Sequence, residues 1–253
     1  LPSLLGGELF RAKVTAYLYP DEDERLLACL DVPLRLRAHY GFLAREGCRL
    51  SEATGLRWRD VDLDRGVVTL DRNKTDDPRA WAMSPGMAAT LLALRVEGAS
   101  PDAAVFGEVK ENRAAETFRE HLTAAGVTRP ELFETSAVRR PVRIHDQRVT
   151  FVTLSLANGK SEAWVADRTG HRSSVMINRY RRQARHAQEL GLGELMRLDF
   201  ALPETSPLAP AWLALATLST ARVGHGVGPA SKRGGPRRSK TPRKPVSRDG
   251  IEP

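Results

Sequence analysis

The chain has 253 residues, which is room for one sizeable domain or for one domain followed by a tail. Apolar residues make up 41% of the composition, enough for a packed core. Two cysteines, Cys29 and Cys48, cannot build a disulfide framework or a zinc cluster, so we expect a cytoplasmic location. No uninterrupted apolar stretch could span a bilayer, and no signal peptide is visible.

The formal net charge is +8, and its distribution along the chain decides what it implies. From residue 201 onward, nine Lys and Arg oppose three Asp and Glu, which gives that part +6 and leaves +2 for residues 1–200. Excess positive charge favours a nucleic-acid partner, and a basic tail would add contacts to phosphates. Because most of the excess lies in the tail, the evidence for DNA binding has to come from the rest of the chain.

The first part of the chain is predicted to be helical after a short lead-in. Residues 1–20 form the lead-in, and the acidic residues 21–24 favour a helix start, where negative charge is stabilising. A mostly apolar helix is predicted over residues 34–43. Gly47 interrupts it, and a short helix follows over residues 50–54.

A small sheet is predicted next. Residues 66–70 contain a β-branched run typical of a strand, and Asp-Asp-Pro at 76–78 indicates a turn. Residues 79–83 can return as a second strand, so we expect a β-hairpin. Pro85 then begins another helix, at the position that proline prefers.

The remaining segments are again helical until the composition changes. We expect a helix over 112–125 capped by Asn112, a loop over 127–142 and a helix over 144–157. A short helix capped by Ser161 should follow and stop at Gly170. A long helix capped by Ser173 or Ser174 should then run to about residue 190. Beyond that, Pro, Gly, Ser and basic residues dominate and predict disorder. The sequence therefore predicts a mostly helical α+β domain over residues 21–200 and a largely disordered tail over 201–253.

Five short segments of the predicted domain carry side chains able to do chemistry. Each of these residues alone is a weak signal, because most single His and Arg residues are structural or solvated. Together they occur in a fixed order: Arg49 in Gly-Cys-Arg-Leu-Ser-Glu (47–52), Lys74 in Asn-Lys-Thr (73–75), His145 and Arg148 in His-Asp-Gln-Arg, His171 in Gly-His (170–171), and Tyr180 in Arg-Tyr (179–180).

This set suits cleavage of a phosphodiester without a metal, which needs a nucleophile, charge neutralisation and an acid for the leaving group. Tyr180 is the candidate nucleophile, since it lies on a helix just after the Gly-His segment. Arg49 and Arg148 are a natural bidentate clamp for the non-bridging oxygens.

Three further residues could handle protons at the same phosphate. His145 and His171 can donate hydrogen bonds to its oxygens or take part in transfer of the tyrosine proton. Lys74, at a hairpin tip, can protonate the departing 5′ oxygen. Glu52 lies one turn after Arg49 and is either an orienting group for a basic residue of the site or a surface partner at i,i+3. No carboxylate cluster suited to magnesium stands out.

These segments closely resemble, in order and spacing, the catalytic domain of the tyrosine recombinases (phage integrases), over about residues 21–190. The resemblance implies a site-specific DNA recombinase that cuts and rejoins strands through a 3′-phosphotyrosyl link at Tyr180, without a cofactor. It implies double-stranded DNA and further recombinase protomers, in a tetrameric synapse, as partners. A bacterial mobile-element origin, with work at the nucleoid, is the expectation for this family.

The sequence departs from the family pattern in two segments and in length. Residues 145–150 read His-Asp-Gln-Arg-Val-Thr where the family often has a second histidine, and residues 167–169 read Asp-Arg-Thr where it often has aliphatic residues. We expect altered packing there rather than altered chemistry. Full recombinases carry an amino-terminal DNA-binding domain, so the roughly twenty residues before this domain suggest a fragment or a mobile-element remnant.

Two other functions stay open for the same residues. One is a non-catalytic DNA-binding remnant that keeps the pocket, and the other is an enzyme similar to type IB topoisomerases. Trp58 is expected to pack rather than to touch DNA. The remaining histidines are expected to be structural or at the surface: His39, His121, His186 and His225.

Overall fold

The computed structural model describes residues 15–71, 78–107, 111–171 and 173–206. Its helices are α1 (Pro20–Ala28), α2 (Leu34–Glu46), α3 (Leu50–Gly55), α4 (Pro85–Leu94), α5 (Ala114–Ala124), α6 (Gln147–Ala157), α7 (Glu162–Thr169), α8 (Ser174–Glu189) and α9 (Leu198–Ala201). Its strands are β1 (Val61–Asp62), β2 (Val67–Leu70) and β3 (Arg79–Ala82). The predicted class, mostly helical with a small sheet, is confirmed. Within the described ranges, no helix combines the length and the apolar character needed to cross a membrane.

The sheet is antiparallel, with strand order β1-β2-β3. The predicted hairpin is formed by β2 and β3, where Val68 lies opposite Trp81 and Leu70 lies opposite Arg79. Strand β1 was not predicted, because two residues are too short to show an alternating pattern. Lys74 falls in the hairpin loop, outside the described residues.

Helix α2 lies at the centre of the packing and is buried along most of its length. It packs against α1, α3, α4, α6 and α9. Helix α6 in turn packs against α7 and α8. The core is therefore continuous between the first helices and the carboxyl-terminal helix pair, and it supports both halves of the candidate site.

Left-handed glycines end two of the helices that lead into the site. Gly47 (φ 67°) ends α2, and Gly170 (φ 65°) ends α7. Both helix ends agree with the predicted breaks, because glycine alone adopts this conformation without a steric penalty. Each turn is followed within two residues by a candidate site residue, Arg49 in the first case and His171 in the second.

Several helix starts agree with the prediction and two differ. Ser161 accepts a hydrogen bond from Trp164 N at the start of α7, and Ser173 accepts one from Val175 N at the start of α8. Asn112 is not the cap of α5, because a 3-10 turn over Glu111–Arg113 comes first. The predicted helix over 144–157 likewise begins as a 3-10 turn, Ile144–Asp146.

The packed part of the chain is longer at both ends than the predicted domain. Residues 16–18 are buried, so packing begins before Pro20. The tail predicted from residue 201 is corrected at its start, because Leu202 is fully buried and Glu204 forms an ion pair with the buried Arg37. Residues 207–253 lie outside the described residues.

Trp58 was expected to pack, and four histidines were expected to be structural or at the surface. Those that the structure describes agree with these expectations. Trp58 is buried in the main core. His39 is buried against Phe106, and His121 accepts from or donates to the hydroxyl of Tyr40 at 2.9 Å. His186 is exposed on α8, and His225 is not among the described residues.

Substituting Gly47 tests the geometry of the turn before Arg49. A Cβ at Gly47 would overlap the ring of Phe151 and would strain a left-handed backbone. Gly47→Ala should therefore lower the free energy of unfolding by about 3 kcal/mol, from overpacking and backbone strain together. Urea denaturation measures this change.

Gly98→Ala is the matched control, because Gly98 has φ 73° and open space where its Cβ would lie. In this variant the free energy of unfolding should fall only by the contribution of backbone strain, about 1 kcal/mol. Equal losses in the two variants would mean that the Phe151 contact does not restrict the turn.

Candidate active site

Arg49 is held in place by the carboxylate of Glu52. Arg49 precedes α3, and its backbone N–H donates to Glu52 Oε2 at 2.8 Å while its Nη1 donates to Oε1 at 2.7 Å. Only 3% of the Glu52 side chain is exposed. The alternative that Glu52 is a surface ion-pair partner is therefore wrong.

The charge of Glu52 is maintained by its arginine partners. Burial alone would raise the pKa of Glu52, but the hydrogen bond from the Arg49 backbone and the charge of Arg79 outweigh it and hold that pKa below its ordinary value. Glu52 is thus a carboxylate at neutral pH, and it orients the Arg49 guanidinium as a charged acceptor.

Arg79, on β3, is a site residue that the sequence analysis missed. Its Nη2 donates to Glu52 Oε2 at 2.6 Å and its Nη1 donates to the carbonyl of Arg168 at 3.2 Å. Side-chain exposure is 8%, so the charge lies inside the protein. A signal was present, because Arg79 shares a strand face with Trp81, two residues on, and that face points inward.

Arg148 connects the ends of two helices. It lies in the first turn of α6, where Nη1 donates to the carbonyl of Gly47 at 2.7 Å and Nη2 donates to the carbonyl of Thr169 at 2.6 Å. Burial, followed by the charge of Arg49, lowers the pKa of Arg148 to about 10. Arg148 stays charged at neutral pH, in a position between Arg49 and His171.

His171 lies between Arg148 and Thr169. Its Nε2 is 3.2 Å from Arg148 Nη2, and its Nδ1 is 2.8 Å from the hydroxyl oxygen of Thr169. Desolvation and then the charge of Arg148 lower the pKa of His171 to about 4. The ring is accordingly neutral near pH 7.

His145 lies in the 3-10 turn before α6 and is exposed. Desolvation of the ring, followed by the charge of Arg148, lowers its pKa as well. The two histidines therefore differ in setting: His171 is enclosed by hydrogen bonds, whereas His145 faces solvent at the edge of the arginine group.

Tyr180 reaches the same group from α8. Its ring centroid is 6.4 Å from that of His171, with 32° between the ring planes. The side chain is half-buried and packs against two apolar clusters, one with Val149 and the other with Ile177. Val149 occupies the position where the family often has a second histidine, so this departure supplies packing beneath the tyrosine.

The second departure from the family pattern forms a polar contact instead of an aliphatic one. Arg168 Nη1 donates to Glu46 Oε2 at 3.0 Å, and its guanidinium lies 4.9 Å from the ring of Trp164. Trp81 Nε1 donates to the same Glu46 oxygen at 2.6 Å. Burial, opposed by these partners, raises the pKa of Glu46 to about 6. The ion pair fixes α7 to α2 below the Gly-His turn.

The structure brings together Arg49, Arg148, His171 and Tyr180 of the predicted site, with His145 at its edge. Lys74 lies outside the described residues, but the strands that flank its loop end at the site, since Leu70 pairs with Arg79. Among the described residues, Glu52 is the one carboxylate in contact with Arg49 and Arg79, and none contacts Arg148. The group therefore carries excess positive charge beside a phenol.

The chain is similar to known proteins over about two thirds of its length. The phage integrase family matches residues 16–186, well over half of the chain. The "Putative integrase/recombinase y4eF" of Sinorhizobium fredii is 28% identical over 176 residues, covering 68% of this chain and 66% of that protein. The tyrosine recombinase XerC of Xanthomonas axonopodis pv. citri is 38% identical over 97 residues, covering 37% of this chain and 32% of that protein. The chain thus spans less than two thirds of either relative.

Solved structures show the same fold. The XerA recombinase has a TM-score of 0.56 at 23% identity, covering 72% of this chain and 65% of that one. A lambda integrase dimer bound to a COC′ core site has a TM-score of 0.50 at 19% identity, covering 70% of this chain and 49% of that one. With the family match over residues 16–186, these similarities establish that the chain belongs to the phage integrase family, the tyrosine recombinases.

Proposed function

We propose that this protein is a site-specific DNA recombinase that cleaves and rejoins strands through a covalent 3′-phosphotyrosyl intermediate at Tyr180, without a metal. The observation that carries the proposal is the excess positive charge beside the phenol: Arg49 and Arg79 share one carboxylate, Glu52, and Arg148 donates to backbone carbonyls instead. A net positive charge inside a protein costs free energy unless an anion binds beside it. A phosphodiester is such an anion.

In the proposed reaction the Tyr180 oxygen attacks the scissile phosphorus and displaces the 5′ oxygen. Arg49 and Arg148 hold the non-bridging oxygens and stabilise the negative charge that grows on them. The bond from phosphorus to the 5′ oxygen breaks as the bond to the tyrosine forms, and Lys74 gives the departing oxygen its proton. The phenol proton passes to His145 or solvent. Attack by a 5′ hydroxyl on the phosphotyrosine reverses these steps and rejoins the strand.

The proposed partners are double-stranded DNA and other protomers of the recombinase on that DNA, in a tetrameric synapse. The lambda integrase structure, a dimer on a core site, supports DNA and multimeric assembly as the expectation. A non-catalytic DNA-binding remnant is the main alternative. It is distinguished by covalent chemistry, because a remnant would bind duplexes without forming an adduct.

Tyr180→Phe should abolish covalent protein–DNA adducts while leaving folding and duplex binding intact, because the substitution removes only the phenol oxygen. Nicked suicide substrates and a denaturing gel detect the adduct. Tyr19→Phe is the matched control, since Tyr19 is also half-buried but lies before α1. An adduct that persists in Tyr180→Phe would overturn the nucleophile, and no adduct with the unaltered protein would favour the remnant.

Lys74→Ala should slow cleavage of ordinary DNA by roughly 10²–10⁴-fold, because an alkoxide leaving group needs a proton from a general acid. In a substrate with sulfur at the 5′ bridging position, the leaving group is a thiolate, which needs no such proton. On that substrate the variant should recover most of its rate, whereas Arg49→Ala should not recover. Equal slowing of Lys74→Ala on both substrates would make Lys74 a phosphate contact and not the acid.

Arg79→Met should slow cleavage by about 10²-fold, because Glu52 loses one partner and Arg49 loses its fixed orientation. Breaking this buried ion pair should also cost about 3 kcal/mol of stability. Arg79→Lys keeps the charge and should recover part of the rate. Single-turnover cleavage with saturating DNA separates this effect from binding, which should change little.

Arg113→Met is the control for a lost arginine, since Arg113 is exposed and pairs with Glu116 at the surface. It should change stability by less than about 1 kcal/mol and leave cleavage unchanged. An Arg79→Met variant that cleaves normally, once folded, would show that Arg79 has no positioning role.

A further inference from the structure

A short chain of hydrogen bonds runs from the backbone of α7 through Thr169 and His171 to Arg148. Thr169 Oγ1 lies 2.6 Å from the carbonyl oxygen of Val165 and 2.8 Å from His171 Nδ1. His171 Nε2 lies 3.2 Å from Arg148 Nη2. The Thr169 side chain is completely buried, so water does not compete for these bonds.

The donor and acceptor roles in this chain follow from the number of hydrogens. A threonine hydroxyl has one hydrogen and two lone pairs, whereas a carbonyl oxygen can only accept. The short contact to the Val165 carbonyl therefore takes the hydroxyl hydrogen. The oxygen of Thr169 is left as an acceptor, and His171 Nδ1 must donate to it.

The contact on the other side of the ring requires the same tautomer for as long as the ring stays in this orientation. A guanidinium has five N–H donors and no acceptor, so Arg148 can only donate. Facing Arg148 Nη2, His171 Nε2 must accept and cannot carry a hydrogen. A protonated imidazole would place two donors against each other, which agrees with the low pKa of His171.

We propose that Thr169 is a positioning residue: its hydroxyl holds His171 in the neutral tautomer with the proton on Nδ1, so that Nε2 accepts from Arg148 and orients its guanidinium. Thr169 occupies a position where the family often has an aliphatic residue, which offers no such hydrogen bond. The effect on cleavage rests on the proposed function, but the tautomer does not.

In this state His171 acts on the phosphate through Arg148. Its Nε2 lone pair fixes the plane of the guanidinium, whose Nη2 also donates to the Thr169 carbonyl at 2.6 Å. Of the roles considered for His171, direct donation from Nε2 to a phosphate oxygen is therefore excluded while the contact with Arg148 lasts.

The tautomer can be read directly by NMR on the full chain. In protein labelled with 15N at histidine, long-range 1H–15N spectra at pH 7 distinguish a protonated ring nitrogen from a bare one, and His171→Gln identifies the His171 signals by their loss. We expect a protonated Nδ1 and a bare Nε2. Thr169→Val should lose this pattern in favour of averaged or Nε2-protonated shifts, and Thr169→Ser should restore it.

Thr153→Val is the matched control, because Thr153 is also fully buried but its hydroxyl has no partner among the described residues. It should leave the His171 signals unchanged. A wild-type ring protonated at Nε2 would overturn the proposal. So would an unchanged pattern in Thr169→Val, because Arg148 alone would then fix the tautomer.

The cleavage experiment tests the positioning role separately. Thr169→Val should form adducts about tenfold more slowly at saturating DNA, the rate equivalent of one hydrogen bond, with Thr169→Ser close to the unaltered protein. Cleavage by Thr169→Val at the normal rate despite an altered tautomer would overturn the role in catalysis. If the unaltered protein forms no adduct, the proposed function fails, while the NMR result still decides the tautomer.

Discussion

The two hydrogen bonds that Arg148 donates to backbone carbonyls are the interaction on which the site depends. One carbonyl, of Gly47, lies at the end of α2, and the other, of Thr169, lies at the end of α7. Helix carboxyl ends carry partial negative charge, so they stabilise a buried guanidinium without a carboxylate. The same bonds set the distance between the two turns, and Arg49 and His171 directly follow those turns. Arg148 thus positions the other residues of the site as well as itself.

This way of burying an arginine leaves its charge available. A carboxylate partner would neutralise Arg148, whereas carbonyl dipoles stabilise the charge and leave it to act on a ligand. Glu52 is shared between Arg49 and Arg79 and therefore compensates only part of their charge. The pKa values of His171 and Arg148 are lowered by the same two causes, burial first and then the positive charge of neighbouring arginines. A bound phosphodiester would relieve this repulsion, which makes the site complementary to an anion before DNA arrives.

The order and spacing of the motifs predicted that Arg49, Arg148, His171 and Tyr180 form one group, and Gly47 and Gly170 marked the turns before two of them. Arg79 was missed because its role depends on a long-range contact, and Thr169 because its proposed role depends on a side-chain orientation that motif spacing does not give. Arg79 meets Glu52 only through the strand register that places it opposite Leu70, and Thr169 matters only because its hydroxyl meets His171. The four-residue helix α9 was missed because tertiary packing stabilises it; the buried Leu198 fills the space beside Gly41.

Tyr180, the proposed nucleophile, is held by a different kind of force from the arginines. Hydrogen bonds and ion pairs fix the arginines, and these are directional and strong when buried. Tyr180 is positioned by apolar packing of α8 against α6. Residues of the lead-in also contribute, since Tyr17 joins the same apolar cluster and Gln183 donates to the carbonyl of Thr15 at 2.5 Å. Since different contacts hold the two groups, a shift of α8 against α6 would change the position of the phenol relative to Arg148. Residues 15–19, which precede α1, therefore contact both α8, which carries Tyr180, and α6, which carries Arg148.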